Sequence, residues 1–299
     1  MSGAEGRERR LAAALMAPAL GAVLVVAIFP LGWTIWESLH GHDLRMPWLG
    51  RPFVGAANYV TLAHDARFWG ALAHTALFVV ITVTLELVLG LALALGLDSL
   101  RRGRGAARVL LLLPWAVPTV VAALVWRFMF EGRTGLASSL LVRAGLLEKP
   151  VTWLVGERTA WIPLILADVW KTTPFVALLL LAGLQAIPRD LHDAARLDGA
   201  GAWRRFIAIT LPLLAPALLV AGLFRTLDAL RVFDLAYVLT NGGPGTATES
   251  ISLYTFDQLL QNLRFGLGSA AATATFALAF VVALVWIRAS GTRILEPSR

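Results

Sequence analysis

Six stretches of this chain are apolar over about the 20 residues that an α-helix needs to cross a bilayer. They are Leu11–Leu39, Phe68–Leu97, Ala106–Phe130, Trp161–Ile187, Ile209–Asp234 and Leu267–Ile287. Hydrocarbon offers the backbone no hydrogen-bond partner, so each stretch must satisfy its own N–H and C=O groups by coiling into a helix. The longer ones fit by tilting or by standing out of the hydrocarbon at one end. The chain is 58% hydrophobic, above the roughly 45–50% of soluble domains. The expected fold is all-α and integral to the membrane, with six transmembrane helices, no internal repeat and no soluble domain.

The formal charge of +7 is carried almost wholly by Arg, since Lys149 and Lys171 are the only lysines. A basic chain can mean nucleic acid, but these arginines sit in short connectors between apolar runs, which reads as topology. Segments 1–10, 98–108, 188–208 and 288–299 hold 14 Arg; the alternating segments 40–67, 131–157 and 235–266 hold seven Lys or Arg over more residues. Cations favour the cytoplasmic side. Both termini are therefore expected in the cytoplasm, with tails at 1–10 and 291–299 around a six-helix domain at 11–290. The basic start before a long apolar run reads as an uncleaved first span. The chain has no Cys, and its five His show no metal-ligand spacing. Neither a metal nor a nucleic-acid partner is expected.

The loop 188–208 holds Asp193-Ala-Ala-Arg-Leu-Asp-Gly-Ala-Gly201, followed by Ile209-Thr-Leu-Pro212. A polar loop this small cannot fold alone, and on the cytoplasmic side it suits a docking element. The simpler alternative is an amphipathic helix with a glycine stop. Its spacing resembles the EAA loop of ABC importer permeases: Glu-Ala-Ala, three residues, Gly, nine residues, Ile-x-Leu-Pro. Ala194, Ala195, Gly199, Ile209, Leu211 and Pro212 match, and Asp193 keeps the charge of the usual Glu on a shorter arm. The resemblance implies that Asp193, Ala194, Ala195, Asp198, Gly199, Ala200 and Gly201 couple the chain to an ATPase. The chain itself lacks the Gly-x4-Gly-Lys-Ser/Thr phosphate loop.

Prolines and charges interrupt the spans. Pro114 and Pro118 break the third, Pro174 the fourth, and Pro212 and Pro216 open the fifth. Each interior proline frees a carbonyl, which leaves either kinks or a path lined by those carbonyls. A charge at mid-bilayer costs about 2.5–3.5 kcal/mol even on lenient scales. Residues three apart on a helix can pair, so Asp168 is expected with Lys171, Arg225 with Asp228, and Arg231 with Asp234. These charges form either an ion-pair lattice or a polar path. Glu86 reads as a lone acid hydrogen-bonded between helices, and Arg127 as snorkelling to an interface. Trp48, Phe53 and Tyr59 suit loop 40–67 to the membrane surface, and the turn formers of 240–250 exclude a long helix.

A sugar offers hydroxyls at its edges and weakly apolar faces, so its site needs carboxylates, amides or hydroxyls beside aromatic rings. Ala167-Asp-Val-Trp-Lys-Thr-Thr-Pro-Phe175 supplies that mixture, and Trp115 and Thr119, four apart, share a helix face. Leu113-Pro-Trp-Ala-Val-Pro118, Trp170-Lys-Thr-Thr-Pro-Phe175, Phe224 to Asp234 and Thr240-Asn-Gly-Gly-Pro244 resemble the carbohydrate-importer permeases of the maltose and trehalose type, nearest the trehalose importers. The resemblance runs from about residue 11 to 290. It implies a type I ABC importer transmembrane domain in a bacterial inner membrane. It also implies a second homologous permease subunit, two ATPase subunits carrying ATP and Mg, an extracytoplasmic sugar-binding protein and a disaccharide substrate.

Carried over by position, the substrate path falls on Trp115, Thr119, Asp168, Lys171, Thr172, Phe175, Arg225, Ala229 and Val232. The family example has small hydroxyl or amide residues at the last three, and Asp228 is expected to take over the polar role. Two alternatives remain in transport: a permease for another sugar such as glycerol phosphate or a lactose-like one, and a proton-coupled secondary transporter using Glu86, Asp168 and Asp228. A membrane enzyme would need a catalytic constellation, and the sequence offers no Gly-x-Ser-x-Gly and no metal-ligand pair.

Overall fold

The structure, a computed structural model, describes residues 15–100, 102–132 and 135–294. Residues 11–14 of the first expected span and the tail 1–10 lie outside the described residues, as do 295–299 of the second tail. The described chain is helical, apart from turns and an isolated bridge between His40 and Phe53. It divides into two compact units, residues 1–65 with 255–277 and residues 66–254 with 278–299.

In the first unit, α1 (Leu15–Ser38) is apolar and largely exposed until its last two residues, Glu37 and Ser38, which are buried. The chain then turns back through loop 40–56 into the short α2 (Ala57–Ala63). Asn58 donates to Ser38 O at 2.8 Å and His40 O at 2.9 Å, and the hydroxyls of Ser38 and Tyr59 share a 2.7 Å bond. Gly266, near the start of α12 (Phe265–Ile294), donates to His42 O at 3.0 Å. A Cβ there would strike His40 O, so this contact requires glycine. Trp48 and Phe53 are exposed, as a surface loop requires.

In the second unit, α3 (Ala66–Ser99) lies along α7 (Trp161–Gln185), and α9 (Ala202–Ala229) packs on both. Small residues permit the approach, because helices in lipid associate by close packing and not by hydrophobic exclusion. A Cβ on Gly90 of α3 would stand 2.7 Å from Val176 Cγ1, and one on Gly183 of α7 would stand 2.6 Å from Ala217 Cβ. Ala94, Val176, Leu180, Leu181 and Leu214 fill the core between these helices.

The third expected span is not one straight helix. α4 (Arg104–Ala116) and α5 (Thr119–Phe130) meet at 83°. Val117 is extended, as the residue before a proline tends to be, and Pro118 starts the new helix direction. Trp115 and Thr119 therefore sit on different helices and not on one face. α6 (Leu136–Arg143) follows. Pro174, by contrast, does not interrupt the fourth span, since α7 is continuous through it.

The fifth span begins earlier than expected, at Ala202 directly after Gly201, and ends at Ala229. Residues 202–208, read from sequence as loop, are its first turns. A π turn at Phe206–Thr210 ends two residues before Pro212, and another at Leu24–Ile28 ends two residues before Pro30. The wider turn reroutes backbone bonding where proline cannot donate, with Leu211 N–H reaching Phe206 O and Phe29 N–H reaching Leu24 O. After a break at 230–233 come α10 (Asp234–Leu239) and α11 (Ile251–Phe256). The Thr240–Pro244 motif between them folds into a tight loop, closed by the Thr248 hydroxyl donating to Gly243 O at 2.8 Å. The remaining helix, α8 (Arg189–Leu197), joins α7 to α9.

Candidate transport site and docking turn

Arg225, on α9, is 2% exposed and anchors the polar centre of the bundle. Its guanidinium donates to both carboxylate oxygens of Glu86 on α3, at 2.8 Å to Oε1, and to Asp168 Oδ2 on α7 at 3.0 Å. Its remaining arm reaches Asp228 one turn along α9. Thr172 adds a hydroxyl 2.7 Å from Glu86 Oε1. One guanidinium thus ties three helices together. A guanidinium suits this role because it is planar, always charged and able to serve several acceptors at once.

The expected Arg225–Asp228 pair forms, but the other two do not. Asp168 turns to Arg225 across the helix interface instead of to Lys171 on its own helix. Lys171 donates to Trp115 O at 3.3 Å, a carbonyl freed by the break before Pro118. Arg231 donates to Leu227 O at 3.3 Å, and no ion pair joins it to Asp234 among the described residues. Glu86 is not a lone acid, because its partner lies 139 residues away in sequence. Arg127, exposed near the end of α5, donates to Val238 O in α10 at 3.1 Å.

Beside this centre lies a cavity of about 350 Å³. Trp115, Thr119, Asp168, Lys171, Thr172, Asp228, Ala229 and Val232 line it, which brings together eight of the ten residues expected on the substrate path. The other two stand behind the wall. Phe175 stacks on Trp115, with ring centroids 5.8 Å apart and planes 16° apart. Arg225 holds the carboxylates from the buried side. Arg231, Phe233, Asp234 and Leu235 also line the cavity, and the sequence reading placed none of them on the substrate path. The walls can accept and donate hydrogen bonds around one flat aromatic face. Asp228, with its side chain 62% exposed, and Asp234, also exposed, are acceptors open to the cavity.

At the far end of α7, the short helix α8 (Arg189–Leu197) stops at Gly199, the form that the simpler sequence alternative described. The N–H of Ala200 bonds Ala195 O at 2.9 Å and that of Gly199 bonds Arg196 O at 3.0 Å. This is a Schellman closure, which requires a left-handed residue after the cap. Gly199 takes it at φ +77°. Asp193 pairs with Arg196 at 2.9 Å on the surface, Ala194 and Ala195 lie on the same short helix, Asp198 caps it, and Ala200 and Gly201 lead into α9. Leu197 and Trp203 flank this turn 90% and 73% exposed. A large apolar pair beside a polar helix is a surface suited to a partner.

The profile of the binding-protein-dependent transport system inner membrane component family matches residues 86–296. The chain belongs to this family. It is a multi-pass transport subunit of an ABC importer. The trehalose/maltose transport system permease protein MalF of Thermococcus litoralis is 46% identical over 283 residues, 94% of this chain and 94% of its own length. The trehalose transport system permease protein SugA of Mycobacterium tuberculosis is 41% identical over 290 residues, 97% of this chain and 92% of its own. A bacterial ABC transporter involved in import of the acidic polysaccharide alginate shares the fold, with TM-score 0.82 and 24% identity, over 97% of this chain and 98% of its own.

Proposed function

We propose that this permease forms half of the path for a neutral disaccharide of the trehalose or maltose type. The cavity beside Arg225 carries the reading. Its volume falls in the roughly 300–1,000 Å³ range of small-molecule sites, and its walls combine carboxylates, hydroxyls and an indole. Trp115 offers a face to the sugar ring, Asp168, Asp228 and Thr172 receive or share its hydroxyl protons, and Thr119 and Lys171 donate. Ala229 and Val232 shape the apolar side. The names of the two similar permeases point to the same sugars.

In this reading the segment 11–290 is a single transmembrane domain with both tails in the cytoplasm. The turn Asp193–Gly201 docks on an ATPase, with Leu197 and Trp203 inserted at the joint. A second permease completes the pore, an extracytoplasmic binding protein delivers the sugar, and ATP with Mg²⁺ binds on two partner ATPases. The proton-driven alternative named Glu86, Asp168 and Asp228 as carriers; all three bond Arg225, and the family match favours the ATP-driven reading. ATP hydrolysis by the reconstituted complex with its binding protein tests the sugar. Stimulation by trehalose or maltose is expected. A response confined to lactose or glycerol phosphate would replace the sugar assignment.

A further inference from the structure

A second cavity, of about 960 Å³, opens among the ends of α3 and α7, the start of α4, α8 and the first turns of α9. Among the described residues, five arginines and His192 line it against two aspartates, Asp98 and Asp193. Asp193 is already engaged by Arg196, so the cleft has surplus positive charge. Arg104 and Arg205 spend donors on the backbone carbonyls of Leu100, Asp98 and Ala200. The Nε of Arg108 is buried and has no acceptor among the described residues. Leaving a buried charged donor unmade is unfavourable, and an oxyanion would relieve it. The cations are all Arg and none is Lys, which matches the planar, forked recognition of phosphate oxygens. The floor adds Leu95, Leu184 and Phe206, apolar surface beyond what a bare ion needs.

We infer that this cleft binds a phosphate-bearing anion, held by Arg108 and Arg189 with Arg205 at its edge. The site lies apart from the sugar cavity and shares no lining residue with it. It rests on no assumption about which sugar is carried. The phosphate belongs either to an anionic lipid headgroup, whose glycerol and first methylenes would cover the apolar floor, or to a soluble phosphate compound.

The test uses the assembled importer in nanodiscs of equal phosphatidylcholine and phosphatidylglycerol. Native mass spectrometry reads retained lipid, and equilibrium dialysis in pure phosphatidylcholine nanodiscs reads labelled inorganic phosphate. Selective retention of phosphatidylglycerol assigns the headgroup, and saturable phosphate binding assigns the soluble source. In either arm, Arg108→Gln with Arg189→Gln is expected to weaken binding about tenfold or more, as loss of charge-assisted bonds requires. Arg108→Lys keeps the charge and guards against a folding defect, and the exposed Arg102→Gln is expected to change nothing. Equal retention of both lipids with no phosphate binding overturns the proposal. So does binding that the double variant leaves intact, or binding by the permease pair that vanishes once the ATPase is docked.

Discussion

Arg225 and Glu86 meet between α9 and α3, with the guanidinium against both carboxylate oxygens and Glu86 fully buried. This pair joins α3 and α9 behind the cavity of the proposed sugar path and does not line it. Removing Arg225 strands Glu86 and Asp168 in the bundle, which costs about 3–5 kcal/mol, whereas removing Glu86 leaves the guanidinium with Asp168 and Asp228. Arg225→Ala is therefore expected to lower the thermal midpoint sharply and to abolish uptake, while Arg225→Lys keeps part of both. Thermal unfolding of the detergent-purified importer measures the first, and vesicle uptake the second.

Asp228 is attached to the same guanidinium but faces the cavity, so its role separates from that of Glu86. A half-exposed pair adds less than about 1 kcal/mol of stability, whereas a charged acceptor for a sugar hydroxyl contributes about 1.5–3 kcal/mol. Asp228→Asn is expected to weaken sugar response roughly tenfold or more while unfolding stays near wild type. The half-maximal sugar concentration for ATPase stimulation reads the first quantity.

Gly199 holds its left-handed turn in open space, with nothing within 4 Å of an added Cβ. Gly199→Ala then adds only backbone strain of about 1–2 kcal/mol. Gly199→Trp adds bulk on the face that the proposed function assigns to the ATPase. The bulky variant is expected to insert in the membrane but to lose sugar-stimulated ATP hydrolysis, and the alanine variant to keep most of it. Normal stimulation in Gly199→Trp would count against the docking role.

Two glycines of α3 make opposite predictions. At Gly90 an added methyl meets Val176 and the Ala177 backbone, whereas at Gly96 it meets nothing. Gly90→Ala is expected to destabilise by about 1–3 kcal/mol through overpacking. Gly96→Ala is expected to be neutral or stabilising by up to about 1 kcal/mol, from helix propensity. The order of their thermal midpoints decides between them.

The helices were legible because lipid imposes length and apolarity on each span. The turn at 193–201 was legible as local structure because a Schellman closure leaves a local signature, a short polar helix followed by Gly199. What depended on partners far along the chain was not. Local spacing offered Lys171 to Asp168, but burial delivered Arg225 from another helix. Proline alone did not show whether a span would break. Pro118 redirects the chain where Val117 becomes extended, Pro174 is absorbed in α7, and Pro212 is accommodated by a π turn whose signal is absent from the residues themselves.

The most direct test is uptake of labelled trehalose and maltose into proteoliposomes holding this permease, its partner permease, the ATPase and the binding protein. Accumulation that needs internal or external ATP on the ATPase side, and that falls in Asp228→Asn, is the predicted result. Uptake by this chain alone under a pH gradient, with no dependence on the ATPase, would contradict the account.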